Sequence, residues 1–365
     1  MDIFEKCKIG NLELSNHLVR SATWEGMATE KGEVTDKLVS YIENLAKGGV
    51  GLIITSHSYI ERSGQASPWQ LGIYDDSLIP GLSRLAEAAH KRETKIFAQL
   101  NHGGCHSLTE LTNMPSFGVS EINSTRGGHA LAMSSTAVKN KIIMYANAAA
   151  RAIQAGFDGI QIHCAHGYLI SQFLSSFYNK RNDEWGGDIE KRVNFLLETI
   201  IAVRIRIGNY PLIIKLNVSD FIKGGNMPKQ MIEIVGLLSN SGIDAIELSS
   251  GTVHPSGKYA STRTFDPSSP EEEGYYVKEA KRYKKNSKIP LILVGGFRSY
   301  ERVSQVLNDG IADFVSIARP LIREPNLPER WRVGDERRAE CISCDKCRAV
   351  AMTGEGLKCA IKENK

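Results

Sequence analysis

Residues 158–217 read DGIQIHCAHGYLISQFLSSFYNKRNDEWGGDIEKRVNFLLETIIAVRIRIGNYPLIIKLN, and the fold is read outward from them. The stretch opens on a short apolar run, Gly159 to His163, continues through a helix-like pattern at Ile189 to Ile207, and closes on a second run, Leu212 to Asn217. In an extended chain Ile160 and Ile162 share one face while Gly159, Gln161 and His163 share the other. The same parity separates Ile214 and Leu216 from Lys215 and Asn217. Aliphatic side chains therefore meet covering helices, and polar ones face a ligand in the interior.

The unit repeats along the chain. Further strands are expected at His17 to Ala22, Val50 to Thr55, Lys95 to Leu100, Ala245 to Leu248, Pro290 to Val294 and Asp313 to Ile317. Helices are expected at Thr35 to Lys47, Leu78 to Arg92, Val138 to Ala155, Pro228 to Ser241, Glu271 to Lys285 and Ser299 to Asn308, with Ser269 and Ser299 as caps. Eight such units in series predict an α/β fold, a closed (β/α)8 TIM barrel. Polar residues gather at the C-terminal ends of nearly all strands, where barrel enzymes build their sites. An N-terminal β-hairpin around Gly10-Asn11, within Phe4 to Leu14, is expected to cover the barrel floor. The run His102 to Ala137 has little periodicity and reads as a long βα loop of the lid or binding type.

The chain carries 45 Lys and Arg against 41 Asp and Glu, a net charge of +4. That lacks the dense basic face required by a phosphate backbone, so nucleic acid is not an expected partner. The longest apolar runs, such as Val50 to Ile54, fall far short of the ~20 residues that cross a bilayer. The start, MDIFEKCK, has neither the apolar stretch nor the cleavage site of a secretory signal. No membrane and a cytoplasmic location are expected. The oligomeric state, a homo-oligomer included, stays open.

The segment Asp158 to Arg192 combines a strand ending in His163, a second histidine at His166, then Gly167-Tyr168 and the block NKRNDEWGG at Asn179 to Gly187. This set resembles the Old Yellow Enzyme family of NADH:flavin oxidoreductases, and the likeness covers residues 1–335. The remaining residues, 336–365, are similar to the extension of the family's iron-sulfur branch, which includes 2,4-dienoyl-CoA reductase and trimethylamine dehydrogenase. The resemblance implies that His163 and His166 donate hydrogen bonds to a substrate carbonyl oxygen, stabilising an enolate as an oxyanion hole does. It implies that Tyr168 protonates the α-carbon as general acid.

It also implies FMN as cofactor, with NADH or NADPH as reductant. Ser21, Ala22, Thr23 and Trp24 of RSATW would line the ring, with Trp24 narrowing the pocket where relatives carry Cys or Thr. Gln99 would bond the pyrimidine end, and Lys215 would sit near N1 and O2, where positive charge favours the anionic reduced ring. The alternative for both is a polar plug in the barrel interior, made costly by an unpaired buried cation. His57 is either a flavin contact or packing. Phosphate is expected after strands 7 and 8, at Val294, Gly295 and Gly296 and at Ala318 and Arg319. Ala318 replaces a common glycine, and its amide donates if its φ is negative. His254 and Tyr259 belong to the loop where the dienoyl-CoA branch adds an acid-base histidine. Residues 102–137 and 250–270 are expected to set substrate choice.

The tail reads C-x2-C-x2-C-x11-C at Cys341, Cys344, Cys347 and Cys359. Such spacing wraps a four-iron four-sulfur cluster; zinc is the second reading and an unliganded tail the third. Cys7, Cys105 and Cys164 read as isolated thiols. The expected activity is FMN-dependent reduction of the C=C bond of an α,β-unsaturated carbonyl compound by NAD(P)H. The alternatives are a subunit of a larger iron-sulfur flavoprotein served by an external electron-transfer protein, and an amine dehydrogenase-like activity.

Overall fold

The computed structural model describes residues 2–253 and 269–361; His254 and Tyr259 lie outside them. Near the start, β1 (Cys7–Ile9) and β2 (Leu12–Leu14) form an antiparallel hairpin about Gly10, whose φ of +58° only glycine adopts at low cost. Then β3 (Leu18–Arg20), β4 (Leu52–Tyr59) and β5 (Lys95–Asn101) enter the barrel. After them β6 (Ser116–Gly118), β7 (Ile122–Ser124) and β8 (Gly128–Ala132) make a separate small sheet. The barrel resumes with β9 (Gly159–Cys164), β10 (Leu212–Asn217), β11 (Ala245–Ser249), β12 (Leu291–Val294) and β13 (Phe314–Ile317). It closes in the order β10-β11-β12-β13-β3-β4-β5-β9, all pairs parallel. This is the expected (β/α)8 barrel.

Its inside is sealed at the floor by Val19, Leu52, Ile54, Phe97, Ile213, Ile292 and Phe314, on which Ile9 and Leu14 of the hairpin pack. The opposite strand faces, for example Ile160, Ile162, Ile214 and Leu216, join the helices in the larger core. Three aspartates stitch the floor. Asp158, Asp244 and Asp313 each stand just before a strand and accept the N–H of Ile96, Leu212 and Leu291 on the neighbouring strand, at 2.9, 2.8 and 2.7 Å.

One expectation is corrected and one is refined. Glu271 to Lys285 is not one helix: Gly274 at φ +76° breaks it into a 3-10 turn, Pro270–Glu272, and a helix, Val277–Asn286. The stretch from His102 to Ala137 connects a strand to a helix, as expected of a long βα loop, but it holds the β6-β8-β7 sheet, which was not expected. That sheet is anchored by the NKRNDEWGG block, whose Arg181 pairs with Asp183 and donates to the carbonyls of Val119 and Met133 at 3.0 and 2.5 Å. Among the described residues no helix is long and apolar enough to cross a membrane.

Candidate active site

Above the strand ends opens a cavity of about 330 Å³, a size proper to small-molecule sites. Around it stand Ser21, Ala22, Thr23, Trp24, His57, Gln99, His163, His166, Tyr168, Lys215, Val294, Gly295, Gly296, Ala318 and Arg319.

Four neighbouring rings line part of it. The His163 and His166 rings lie 5.0 Å apart at 90°, and Tyr168 lies 5.2 Å from His163. His57 stacks on Tyr168 at 5.3 Å and 25°, with its Nε2 3.5 Å from the phenol oxygen. Strict alternation from the inward Ile54 would turn His57 outward. A register shift between Ile54 and His57 restores it to the interior opposite Gln99, the re-aiming that a bulge performs. That shift has no sequence signature.

Burial disfavours the charged form of all three imidazoles. Burial first, and then the charges of His166, His57 and Lys215, holds His163 well below the usual histidine range. Burial, then Lys215 and His57, does the same to His166. Burial and the charge of Arg126 push His57 down to about 3. His163 Nδ1 accepts the Ala165 N–H at 3.4 Å, which places the ring proton on Nε2. His166 is fixed through its own N–H to Asn217 Oδ1 at 3.2 Å and through Nε2 to Ser249 Oγ at 2.7 Å. Its backbone is held at φ +64°, costly for a residue with a Cβ.

Lys215 is not an unpaired cation awaiting a ligand. Its Nζ lies 3.1 Å from Glu247 Oε2, and the side chains are 3% and 0% exposed. Glu247 also accepts from Ser21 and Ser316 at 2.7 and 2.8 Å and from Gln161 at 2.9 Å, while Gln99 donates to Gln161 at 2.6 Å. The polar-plug alternative is therefore realised in part, because Lys215 borders the cavity and also closes an interior network. Sequence reading missed Glu247, although its inward parity in AIELS marks it.

At the ends of β12 and β13 Gly295 and Gly296 take φ of +144° and +78°, and Ala318 takes −115°. Arg319 donates Nη1 to Ser343 O at 2.8 Å, and Arg298 joins this end. Ser299 does not cap its helix through its own hydroxyl. Instead Glu273, fully buried, accepts the N–H of Arg298 and Ser299 at 2.7 and 2.9 Å and the Ser299 hydroxyl at 2.8 Å.

Cys341, Cys344, Cys347 and Cys359 line one small second cavity. Cys347 and Asp345 also border the first. Arg323 reaches this cavity and pairs with Glu340 at 2.6 Å. Among the described residues no three His, Cys, Asp or Glu side chains converge to hold a single metal ion. Cys7, Cys105 and Cys164 are unpaired thiols, and burial pushes Cys105 up to about 12.

Polar donors, buried imidazoles and a phenol lining one cavity suit a barrel oxidoreductase that holds a flat ring with an anionic tail. The chain belongs to the NADH:flavin oxidoreductase / NADH oxidase family, which matches residues 2–337. It is 34% identical over 349 residues to the NADH oxidase of Thermoanaerobacter brockii, covering 94% of this chain and 53% of that protein. It is likewise 34% identical to the metal reductase of Desulforamulus reducens, covering 94% of this chain and 51% of the relative. The chain thus spans about half the length of these curated relatives. Among solved structures, a 2-naphthoyl-CoA reductase superposes with a TM-score of 0.88 at 26% identity, over 98% of this chain and 56% of that one. The old yellow enzyme homologue of Zymomonas mobilis gives 0.81 at 26% identity, over 94% and 96%.

Proposed function

We propose that this chain reduces the C=C bond of an α,β-unsaturated carbonyl compound with NAD(P)H, using FMN held in the 330 Å³ cavity. The residues fit that group. Gln99 and Lys215 offer donors for the polar edge of its ring, while Arg319, Arg298 and the amides about Gly295 and Gly296 suit its phosphate. When bound, FMN would accept hydride from the nicotinamide and return it to the β-carbon of the alkene. His163 and His166 take the carbonyl oxygen between them and stabilise the charge that develops there. Tyr168 delivers the proton to the α-carbon. His57 stacks on Tyr168 and fixes its phenol.

The observation that carries this reading is the pair of buried imidazoles 5.0 Å apart beside a phenol in one cavity. Neutral imidazoles donate to an oxygen without repelling a cation, but the cavity is also lined by Arg126, which disfavours an ammonium substrate. Amine oxidation is therefore the weaker alternative. The test uses protein reconstituted with FMN and assayed with 2-cyclohexenone. Tyr168→Phe is expected to lower kcat on the order of 10²- to 10⁴-fold; an unchanged kcat counts against the assignment.

We read residues 1–335 as the FMN barrel and 336–365 as a tail that carries a four-iron four-sulfur cluster. The C-x2-C-x2-C-x11-C spacing suits a four-iron group better than zinc, which in structural sites more often uses two separated pairs. Anaerobically purified protein is expected to contain about four iron and four sulfide per chain. One zinc and no sulfide would reverse this reading. With a cluster beside the ring cavity, an external electron-transfer protein is the second proposed partner, and assaying the isolated chain separates an enzyme from a subunit.

A further inference from the structure

Five cationic side chains line the main cavity, namely Arg126, Lys215, Arg298, Arg319 and Arg348, against one carboxylate, Asp345. Four of them have evident tasks or places. Lys215 is paired with Glu247, Arg298 and Arg319 stand at the phosphate pole, and Arg348 lies on the tail. Arg126 stands apart, in the turn between β7 and β8, and among the described residues its side chain is seen bonded to a backbone carbonyl and to no carboxylate.

The turn is held on several sides, so this placement is no accident of a wandering side chain. Ser124 Oγ accepts the N–H of Arg126 and Gly127 at 3.2 and 3.1 Å and lies 2.6 Å from His106 Nδ1. His106 Nε2 in turn lies 3.2 Å from the Tyr178 hydroxyl. At Gly127 a Cβ would fall 2.3 Å from Ser107 O, so the turn lies flush on the segment beneath it. The guanidinium itself is tethered by one bond, Nη2 to Ala66 O at 3.0 Å. A guanidinium has five N–H donors in a planar fork, so most of them are left over by this tether. The group is half-buried and on the cavity wall that also carries His57 and Tyr168.

We propose that Arg126 anchors a carboxylate carried by the substrate itself, so that the preferred substrates are unsaturated carbonyl compounds bearing an acid group on or next to the alkene. The planar fork matches a carboxylate in two parallel bonds. The inference rests on the reading of this cavity as the site of alkene reduction. The nicotinamide dinucleotide also carries anions, in its phosphates. These lie many bonds from its reacting carbon, whereas Arg126 shares a wall with the catalytic rings. The substrate is therefore the favoured source of the anion.

The probes are 3-oxocyclohex-1-ene-1-carboxylate and its methyl ester as substrates, with saturated 3-oxocyclohexane-1-carboxylate and its ester as non-reacting ligands for calorimetry on the FMN-loaded protein. The native protein is expected to prefer acid to ester on the order of 10- to 100-fold in both kcat/KM and Kd, the range of a charge-assisted pair. The preference should shrink as salt rises. In Arg126→Gln it is expected to collapse toward unity, and in Arg126→Lys to survive in part. No acid preference in the native protein overturns the proposal even if the variants fail to fold. So does an equal loss for acid and ester in Arg126→Gln, or a tenfold rise in the KM for NADH or NADPH with the acid preference intact. Acid binding that depends on Arg126 without reduction of either substrate would sustain the anchor and sink the ene-reductase reading. Reduction without discrimination would do the reverse.

Discussion

Replacing His163 by alanine is expected to lower kcat/KM for 2-cyclohexenone on the order of 10²- to 10³-fold, the usual cost of one oxyanion donor, while FMN remains bound. The two imidazoles hold one oxygen and act as a unit. The His163→Ala, His166→Ala double variant should therefore be little slower than the worse single one, since losses within a unit do not add. His163→Asn keeps a donor and should recover part of the rate. Both rings are held well below the usual histidine range by burial and neighbouring charge. Their protonation therefore adds no limb to the rate profile between about pH 6 and 8. A limb that disappears only in these variants would show that an imidazolium is at work instead.

Glu247→Gln is expected to destabilise the fold by about 3–5 kcal/mol, because it strands the Lys215 cation in the interior. Chemical denaturation measures this, and Lys215→Met, Glu247→Leu should regain most of the loss by removing both charges at once. Burial pushes the Glu247 carboxyl up, but the Lys215 ammonium and the bonds from Ser21, Gln161 and Ser316 outweigh it and leave it below its ordinary value. The folded state thus binds this proton more weakly than the unfolded state. The stabilisation is complete above about pH 4.5 and is lost as pH falls through the lowered folded value. The native protein should lose stability over that acid window, and the double variant should lose less. Equal acid profiles would place the titrating group elsewhere.

The barrel was legible because each strand is buried on both faces and bounded by polar residues, and the expected bounds of Leu212–Asn217 and Ile189–Ile207 match the structure to the residue. Parity then separates Gln161 and His163 from Ile160 and Ile162, which places the polar set inside from sequence alone. Short strands hid the β6-β8-β7 sheet, since segments of three to five residues carry almost no period. The break at Gly274 was visible only as a single glycine inside a helical pattern. His57 needed a bulge and Arg126 needed the path of an insertion, both tertiary facts. Glu247 was different, because alternation pointed it inward and the need for a counter-charge to Lys215 could have found it.

The most direct test is a crystal structure of the protein loaded with FMN and 3-oxocyclohexane-1-carboxylate. The expected result is the ring over the strand ends, with its phosphate against Arg319 and the Gly295-Gly296 backbone, and the ligand ketone oxygen within about 3.2 Å of nitrogens of both His163 and His166. A ring bound elsewhere, or a ketone oxygen held away from both imidazoles, would contradict the assignment.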